Sequence, residues 1–198
     1  MPESLSAIEA FVLRGRTFFV KRDDTIDPLL SGNKYRKLYS LIHTPSTRYK
    51  RLYSYGGTQS NAMLSIAALC AKKGWEFVYC TKPLGAHLRA HPTGNLKSAL
   101  DLGMKLVELP YDCYAEAVAS LQSSCDDTEL FVPQGGADPS ARKGIEVLAE
   151  EIALWQRERG LQRCYIVTPS GTGTTAYYLA KALPDMPIIT TAVVGDAA

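Results

Sequence analysis

No segment of this sequence is both apolar and long enough to cross a bilayer. The longest strongly apolar stretch, Ala62 to Ala71, is interrupted by Ser65, and a spanning helix needs about 20 residues. The opening Met-Pro-Glu-Ser-Leu lacks the basic region and apolar core of a secretory signal, so we expect a cytoplasmic protein with no membrane partner. An excess of one charge is also missing. Lys and Arg number 22 and Asp and Glu 20, a formal net charge of +2, which gives no electrostatic basis for binding nucleic acid. The five cysteines (Cys70, Cys80, Cys113, Cys125 and Cys164) are odd in number, and no two form a CxxC pair. That argues against a disulfide framework or a zinc knuckle and for reduced thiols. His87 and His91 are four residues apart and could share a helix face as metal ligands. No third ligand is near in sequence and Pro92 follows directly, so no metal is expected. Repeats and low-complexity tracts are absent. The remainder is 198 residues, 46% hydrophobic and 21% charged, which is ordinary for a folded soluble chain and too apolar for a disordered one. The length suits one generous domain or two small lobes.

The pattern along the chain alternates. Thr17–Arg22 reads as a strand, followed by a loop rich in Asp, Pro, Ser and Gly. A helix is expected from Lys34, with Tyr35, Leu38, Leu41 and Ile42 at helical spacing. Strands are expected at 52–55, 76–81, 105–109, 130–132, 164–168 and 188–194. Helices are expected at 60–73, 94–102, 114–123, 141–160 and 174–183. Gly74 is placed as a C-cap, and Ile145, Leu148, Ile152 and Trp155 are placed on the core side of the longest helix. Alternating strands and helices imply an α/β fold with parallel sheets flanked by helices. Tyr165-Ile166-Val167 lacks polar alternation, as a strand covered on both faces does. Val193 and Val194 resemble a central strand only a few residues before Ala198. We therefore expect the chain to be the N-terminal part of a longer protein, truncated at its C-terminus.

Three segments have the residue types for chemistry. In Ser31-Gly32-Asn33-Lys34-Tyr35-Arg36-Lys37-Leu38 a lysine stands on the first turn of a helix. The positive helix terminus disfavours its charge, with Arg36 and Lys37 adding to the effect. A lowered amine pKa suits a Schiff-base nucleophile, although a solvated basic face has the same composition. In Ser54-Tyr55-Gly56-Gly57-Thr58-Gln59-Ser60-Asn61 two glycines allow a tight turn, and Ser60 and Asn61 stand at a helix start. Free N–H groups there suit a carboxylate, and the same residues are good N-caps. In Pro169-Ser170-Gly171-Thr172-Gly173-Thr174-Thr175 small residues and hydroxyls can surround a phosphate. Neither GxxxxGK nor GxGxxG fits, so the group held would be a compact phosphate-bearing cofactor rather than a nucleotide; an ordinary Gly-rich turn is the alternative. The loop Val132 to Asp138 ends a strand at the sheet edge where α/β sites lie, and it reads as a turn or as a substrate contact.

In this order the segments resemble the pyridoxal-phosphate enzymes of the tryptophan-synthase-β fold type, in particular the 1-aminocyclopropane-1-carboxylate deaminase and D-cysteine desulfhydrase branch. The similarity runs from Phe18-Phe19-Val20-Lys21-Arg22-Asp23-Asp24 through Thr93-Gly94-Asn95-Leu96 and Pro133–Asp138 to Val194-Gly195-Asp196. It implies a two-lobed architecture of fold type II, with a smaller lobe over 44–140 inserted into a larger lobe of 1–43 and 141–198. It implies pyridoxal 5′-phosphate as cofactor, held covalently by Lys34, which then moves protons at the substrate α-carbon. Asn61 would hydrogen-bond the cofactor's phenolic oxygen, and Ser170, Gly171, Thr172, Gly173 and Thr174 would hold its phosphate. Ser60 would sit over the substrate carboxylate or act near the reacting carbon, with Thr58 and Gln59 binding that carboxylate through the turn's amides. The implied activity releases ammonia and a 2-keto acid, with sulfide if the substrate is cysteine. A β-replacement enzyme and a catalytically incomplete remnant are the alternatives. The implied partners are a small amino-acid substrate and a second copy of the chain in a homodimer. Departures from the family's pattern are Ala62-Met63-Leu64, where relatives carry a polar or basic pair, and Tyr39, where an acidic residue is common. The region that supplies the pyridine-nitrogen partner in the family has no counterpart in these 198 residues.

Overall fold

The computed structural model describes residues 5–30 and 32–193. In chain order the elements are β1 (Ile8–Leu13), β2 (Arg16–Lys21), a 3₁₀ turn at Asp23–Thr25, α1 (Asn33–Lys37), α2 (Tyr39–Ile42), β3 (Arg51–Tyr55), α3 (Asn61–Lys73), β4 (Glu76–Thr81), α4 (Ala86–Ala90) and α5 (Gly94–Asp101). They continue with β5 (Lys105–Glu108), α6 (Tyr114–Ser124), β6 (Glu129–Phe131), a 3₁₀ turn at Gln134–Gly136, α7 (Ala141–Glu158), β7 (Ile166–Ser170), α8 (Thr174–Ala182) and β8 (Ile188–Ala192). The chain divides into two compact units, residues 40–138 and residues 1–39 with 139–198.

The 40–138 unit is a four-stranded, fully parallel sheet in the order β5-β4-β3-β6. Helix α3 is apolar around most of its girth and buries Ala62, Met63 and Ile66 through Cys70. Ser60 caps its start by accepting the N–H of Met63, and Gly74 ends it in the left-handed conformation with its N–H on Cys70 O. From β3 the chain moves outward through β4 to β5, then returns to place β6 on the other side of β3. The loops after β3 and β6 therefore leave the sheet at a topological switch point, where open α/β sheets bind ligands.

The unit formed by 1–39 and 139–198 departs from strict alternation at its start. β1 and β2 form an antiparallel hairpin with Leu13 opposite Arg16. Arg14 and Gly15 both have positive φ, 51° and 73°, the signature of a type I′ turn. The strand at 8–13 escapes sequence reading because five of its six residues are exposed, so no alternation marks it. The helix expected from Lys34 is broken in two at Leu38, whose φ of −92° and ψ of 5° leave the helical region.

Helix α7 lays Ala141, Ile145, Leu148 and Ala149 on Leu179 of α8, with Ile166 and Ile188 of the parallel β7–β8 pair against the same cluster. Trp155 turns elsewhere and meets Phe19 of the hairpin edge-on at 4.8 Å. The expectation that β7 is covered on both faces is overturned. Ile166 faces the cluster, while Val167 is 72% exposed. The β7–β8 pair is two strands wide and carries helices on one face among the described residues, so every second side chain faces outward. Of the strand expected at 188–194, Val194 lies outside the described residues.

Candidate active site

Lys34 and the Ser/Gly/Thr loop lie in the same unit. Helix α1 is short, and its own hydrogen bonds cannot hold it. It is held by Arg36, which is fully buried. The guanidinium makes two forks: Nε and Nη2 donate to Asp23 Oδ2 and Oδ1 at 2.9 and 2.7 Å, and Nη1 and Nη2 donate to Glu151 Oε1 and Oε2 at 2.9 and 2.8 Å. Lys21 adds an ion pair to Glu151 at 2.7 Å, and Ser6 Oγ donates to Asp23 Oδ1 at 2.7 Å. Arg36 thus ties the Asp23 turn and α7 to the helix that carries Lys34, and Lys21 joins the hairpin to the same Glu151 carboxylate.

With α1 fixed, Lys34 and Lys37 project from one side, three residues apart. Lys34 is half-buried, and its Nζ donates to Asn33 Oδ1 at 2.9 Å. Burial holds its amine below the ordinary lysine value. The direction matches the sequence argument, but desolvation rather than the helix terminus supplies it. Lys37 is buried, and desolvation with the neighbouring Lys34 charge pushes it down to about 8. Its Nζ donates to Thr172 Oγ1 at 3.1 Å, so it reaches the loop between β7 and α8. In that loop the hydroxyls of Thr172 and Thr174 are 2.8 Å apart. Ser170 is differently engaged. Thr190 donates to Thr168 O, so the Ser170 hydroxyl, 2.6 Å from Thr190 Oγ1, gives its proton to Thr190. The Thr175 hydroxyl, on the first turn of α8, is buried with no hydrogen-bond partner.

The other candidate residues share the turn after β3 in the 40–138 unit. Thr58, Gln59, Ser60 and Asn61 run into the start of α3. Ser60 uses its side chain on Met63 N and its carbonyl on Leu64 N. The N–H groups of Asn61 and Ala62 then have no acceptor within the helix, which suits an anion. Tyr79, buried beneath the turn, donates to Gly57 O at 3.1 Å. Burial pushes its phenol up, partly offset by a hydrogen bond with Ser60. A cleft of about 530 Å³ opens beside the turn, lined among others by Gly57, Thr58, Thr81, Lys82, Tyr114 and Gln134. It puts Gln134 of the loop after β6 beside the turn.

Two functional candidates were missed by sequence reading. Lys37 looked like part of a solvated basic face, and only its three-residue spacing from Lys34 hinted otherwise. Asn95 bonds both Gln59 and Asn61 from 34 or more residues away, a relation no local pattern carries. His87 and His91 do come together, with rings 5.3 Å apart, but no group of three metal-ligating side chains forms among the described residues. No helix there is long and apolar enough to cross a membrane.

Known proteins are similar to this chain in sequence and in fold. The chain is 30% identical to the D-cysteine desulfhydrases of Salmonella paratyphi B and Salmonella newport, over 88% of its own length and 56% of theirs. It therefore spans a little over half the length of these curated relatives. Among solved structures, an ACC deaminase homologue superposes with a TM-score of 0.73 at 21% identity, covering 98% of this chain and 62% of that one. A fungal L-serine ammonia-lyase from Rhizomucor miehei gives a TM-score of 0.68 at 16% identity, covering 97% and 60%; at these identities the likeness establishes the fold. The sequence pattern that defines one family extends from residue 5 to residue 195, across the lysine helix, the turn after β3 and the loop before α8, and by that match the chain belongs to the pyridoxal-phosphate dependent enzymes.

Proposed function

We propose that the protein is a pyridoxal-phosphate lyase or deaminase acting on a small amino acid, of the D-cysteine desulfhydrase or 1-aminocyclopropane-1-carboxylate deaminase type. The observation that carries this reading is the hydrogen bond from Lys37 to Thr172. It joins the helix bearing Lys34 to the hydroxyl-rich loop, so an amine and an oxyanion site occur together in one unit. The residues fit the cofactor. A side chain built on Gly171 or Gly173 meets nothing within 4 Å, so there is room beside the loop's amides for a phosphate. Lys37, Thr172 and Thr174 offer donors to it, and the partnerless Thr175 hydroxyl is one more.

Bound pyridoxal phosphate withdraws electrons from the substrate α-carbon and so stabilises the carbanion formed there. The chain supplies position and protons. Lys34, with its lowered amine pKa, is suited to hold the cofactor covalently and then to carry the α-proton. The N–H groups at the start of α3, with Thr58, Gln59 and Ser60, would bind the substrate carboxylate. Asn61 would donate to the phenolic oxygen of the cofactor. Five cysteines without a disulfide agree with a cytoplasmic setting, and the reading includes a homodimer.

Two measurements test the proposal. Product analysis with D-cysteine and with 1-aminocyclopropane-1-carboxylate is expected to give ammonia and a keto acid from one of them. Formation of a new amino acid from an added nucleophile instead would make the protein a β-replacement enzyme. The second measurement uses inorganic phosphate. Only charged Lys37 attracts the anion, and its proton leaves near pH 8. Phosphate affinity is therefore expected to fall about tenfold between pH 7.5 and 9.5, and Lys37→Met is expected to flatten that fall. A wild-type affinity unchanged across this range would remove Lys37 from the phosphate site.

A further inference from the structure

Thr93-Gly94-Asn95 starts α5, yet its polar atoms are spent on the turn after β3. Asn95 N donates to Gln59 Oε1 at 2.9 Å, and Gln59 Nε2 donates to Thr93 O at 3.1 Å. Asn95 Nδ2 donates to Gln59 O at 2.9 Å and to Asn61 Oδ1 at 2.8 Å. Gly94 permits the approach. Its φ is +58°, and a Cβ there would lie 2.4 Å from Gln59 Oε1.

The direction of each amide in this set follows from the backbone. A backbone N–H faces the Gln59 side chain at one end and a backbone carbonyl at the other, so its oxygen and nitrogen can be placed only one way. The Gln59 carbonyl is an acceptor, so the Asn95 atom 2.9 Å from it must be the nitrogen. That nitrogen also faces Asn61, so the Asn61 atom opposite it must be the oxygen. The Asn61 nitrogen is then turned away from Asn95 with its N–H bonds undirected.

We propose that Asn95 is a positioning residue: it reads the polarity of the Gln59 carbonyl and fixes the Asn61 amide as a donor toward the cofactor's phenolic oxygen. This rests on the role proposed for Asn61. An oxygen bearing negative charge needs a donor, and an Asn61 amide turned the other way would repel it.

The test compares Asn95→Asp with Asn95→Leu. The aspartate presents only acceptors, so it attracts the Asn61 nitrogen and turns the Asn61 oxygen outward. The leucine removes the bond but leaves the Asn61 amide free to rotate. In the cofactor-free protein labelled with ¹⁵N, the Asn61 side-chain amide protons are expected to exchange freely with water in the wild type and to become protected in Asn95→Asp. With pyridoxal phosphate added, Asn95→Asp is expected to bind about tenfold more weakly and to shift the visible band and its pH transition. Asn95→Leu is expected to change both less. A role in stability alone leaves exchange at the Asn61 amide unchanged in Asn95→Asp, and that result would overturn the proposal. If the wild-type protein bound no pyridoxal phosphate, the function proposed above would fail, while the amide exchange would still decide the role of Asn95.

Discussion

Replacing Arg36 with alanine is expected to destabilise the protein by about 3–5 kcal/mol in urea unfolding, the cost of removing one partner from a buried ion network. The size follows from what remains. Asp23 and Glu151 have side chains only 11% and 10% exposed, and each loses a two-pronged partner. Lys21 still reaches Glu151, but one ammonium cannot reproduce two forks. For that reason Arg36→Lys is expected to recover only part of the loss. The network also fixes a pH dependence. Burial by itself pushes Glu151 up, but hydrogen bonds from Arg36 and Lys21 outweigh it and leave the carboxyl below its ordinary value. A carboxylate lowered on folding adds stability that is present above the unfolded value of about 4.3 and is lost as pH falls through the folded value. Wild-type stability is thus expected to fall on acidification below about pH 4, and Arg36→Ala to lose that part of the slope. A loss under 1 kcal/mol for Arg36→Ala would show that α1 is held by something else.

The second large effect is at Gly144 of α7. A Cβ there would lie 2.0 Å from the Arg36 carbonyl oxygen and 2.4 Å from Tyr39 Cβ. One of these is backbone and the other is the first side-chain atom, so neither can swing aside. Alanine must force α1 and α7 apart. Overpacking of this kind costs about 1–3 kcal/mol and sometimes more, while Gly to Ala inside a helix returns up to about 1 kcal/mol. We expect Gly144→Ala to lose about 2 kcal/mol net and to slow reaction of Lys34 with pyridoxal phosphate, since the same displacement moves α1. Because Gly144 touches the residue that carries the forks, Gly144→Ala and Arg36→Ala are expected to combine less than additively. A thermal melt at or above the wild-type value would contradict the close approach of the two helices.

The parallel sheet of the 40–138 unit was legible because its signals are local. Gly74 marks the end of α3, Ser60 marks its start, and 76–81 carries the residues of a buried strand. The hairpin at 8–21 was half hidden, since β1 is exposed and gives no alternation. The face of β7 was misread. An apolar run reports that a strand can be covered, whereas coverage depends on neighbours that the run itself does not name. At the candidate site, Lys34 and the loop 170–174 stood out by residue type. Arg36 and Lys37 did not, because a basic residue looks solvated until its partners are known. Asp23, Glu151 and Thr172 lie 13, 115 and 135 residues away from them. Asn95 stands in Thr93-Gly94-Asn95-Leu96, but its purpose depends on the fold, which carries it to Gln59 and Asn61.

The most direct measurement is chemical. The protein is incubated with pyridoxal phosphate, reduced with borohydride and digested, and the modified peptide is identified by mass. Attachment of the phosphopyridoxyl group to Lys34, absent after Lys34→Ala and reduced after Lys37→Met, is the expected result. Attachment to a different lysine in the wild type, or none at all, would contradict the assignment of Lys34 as the amine that holds the cofactor.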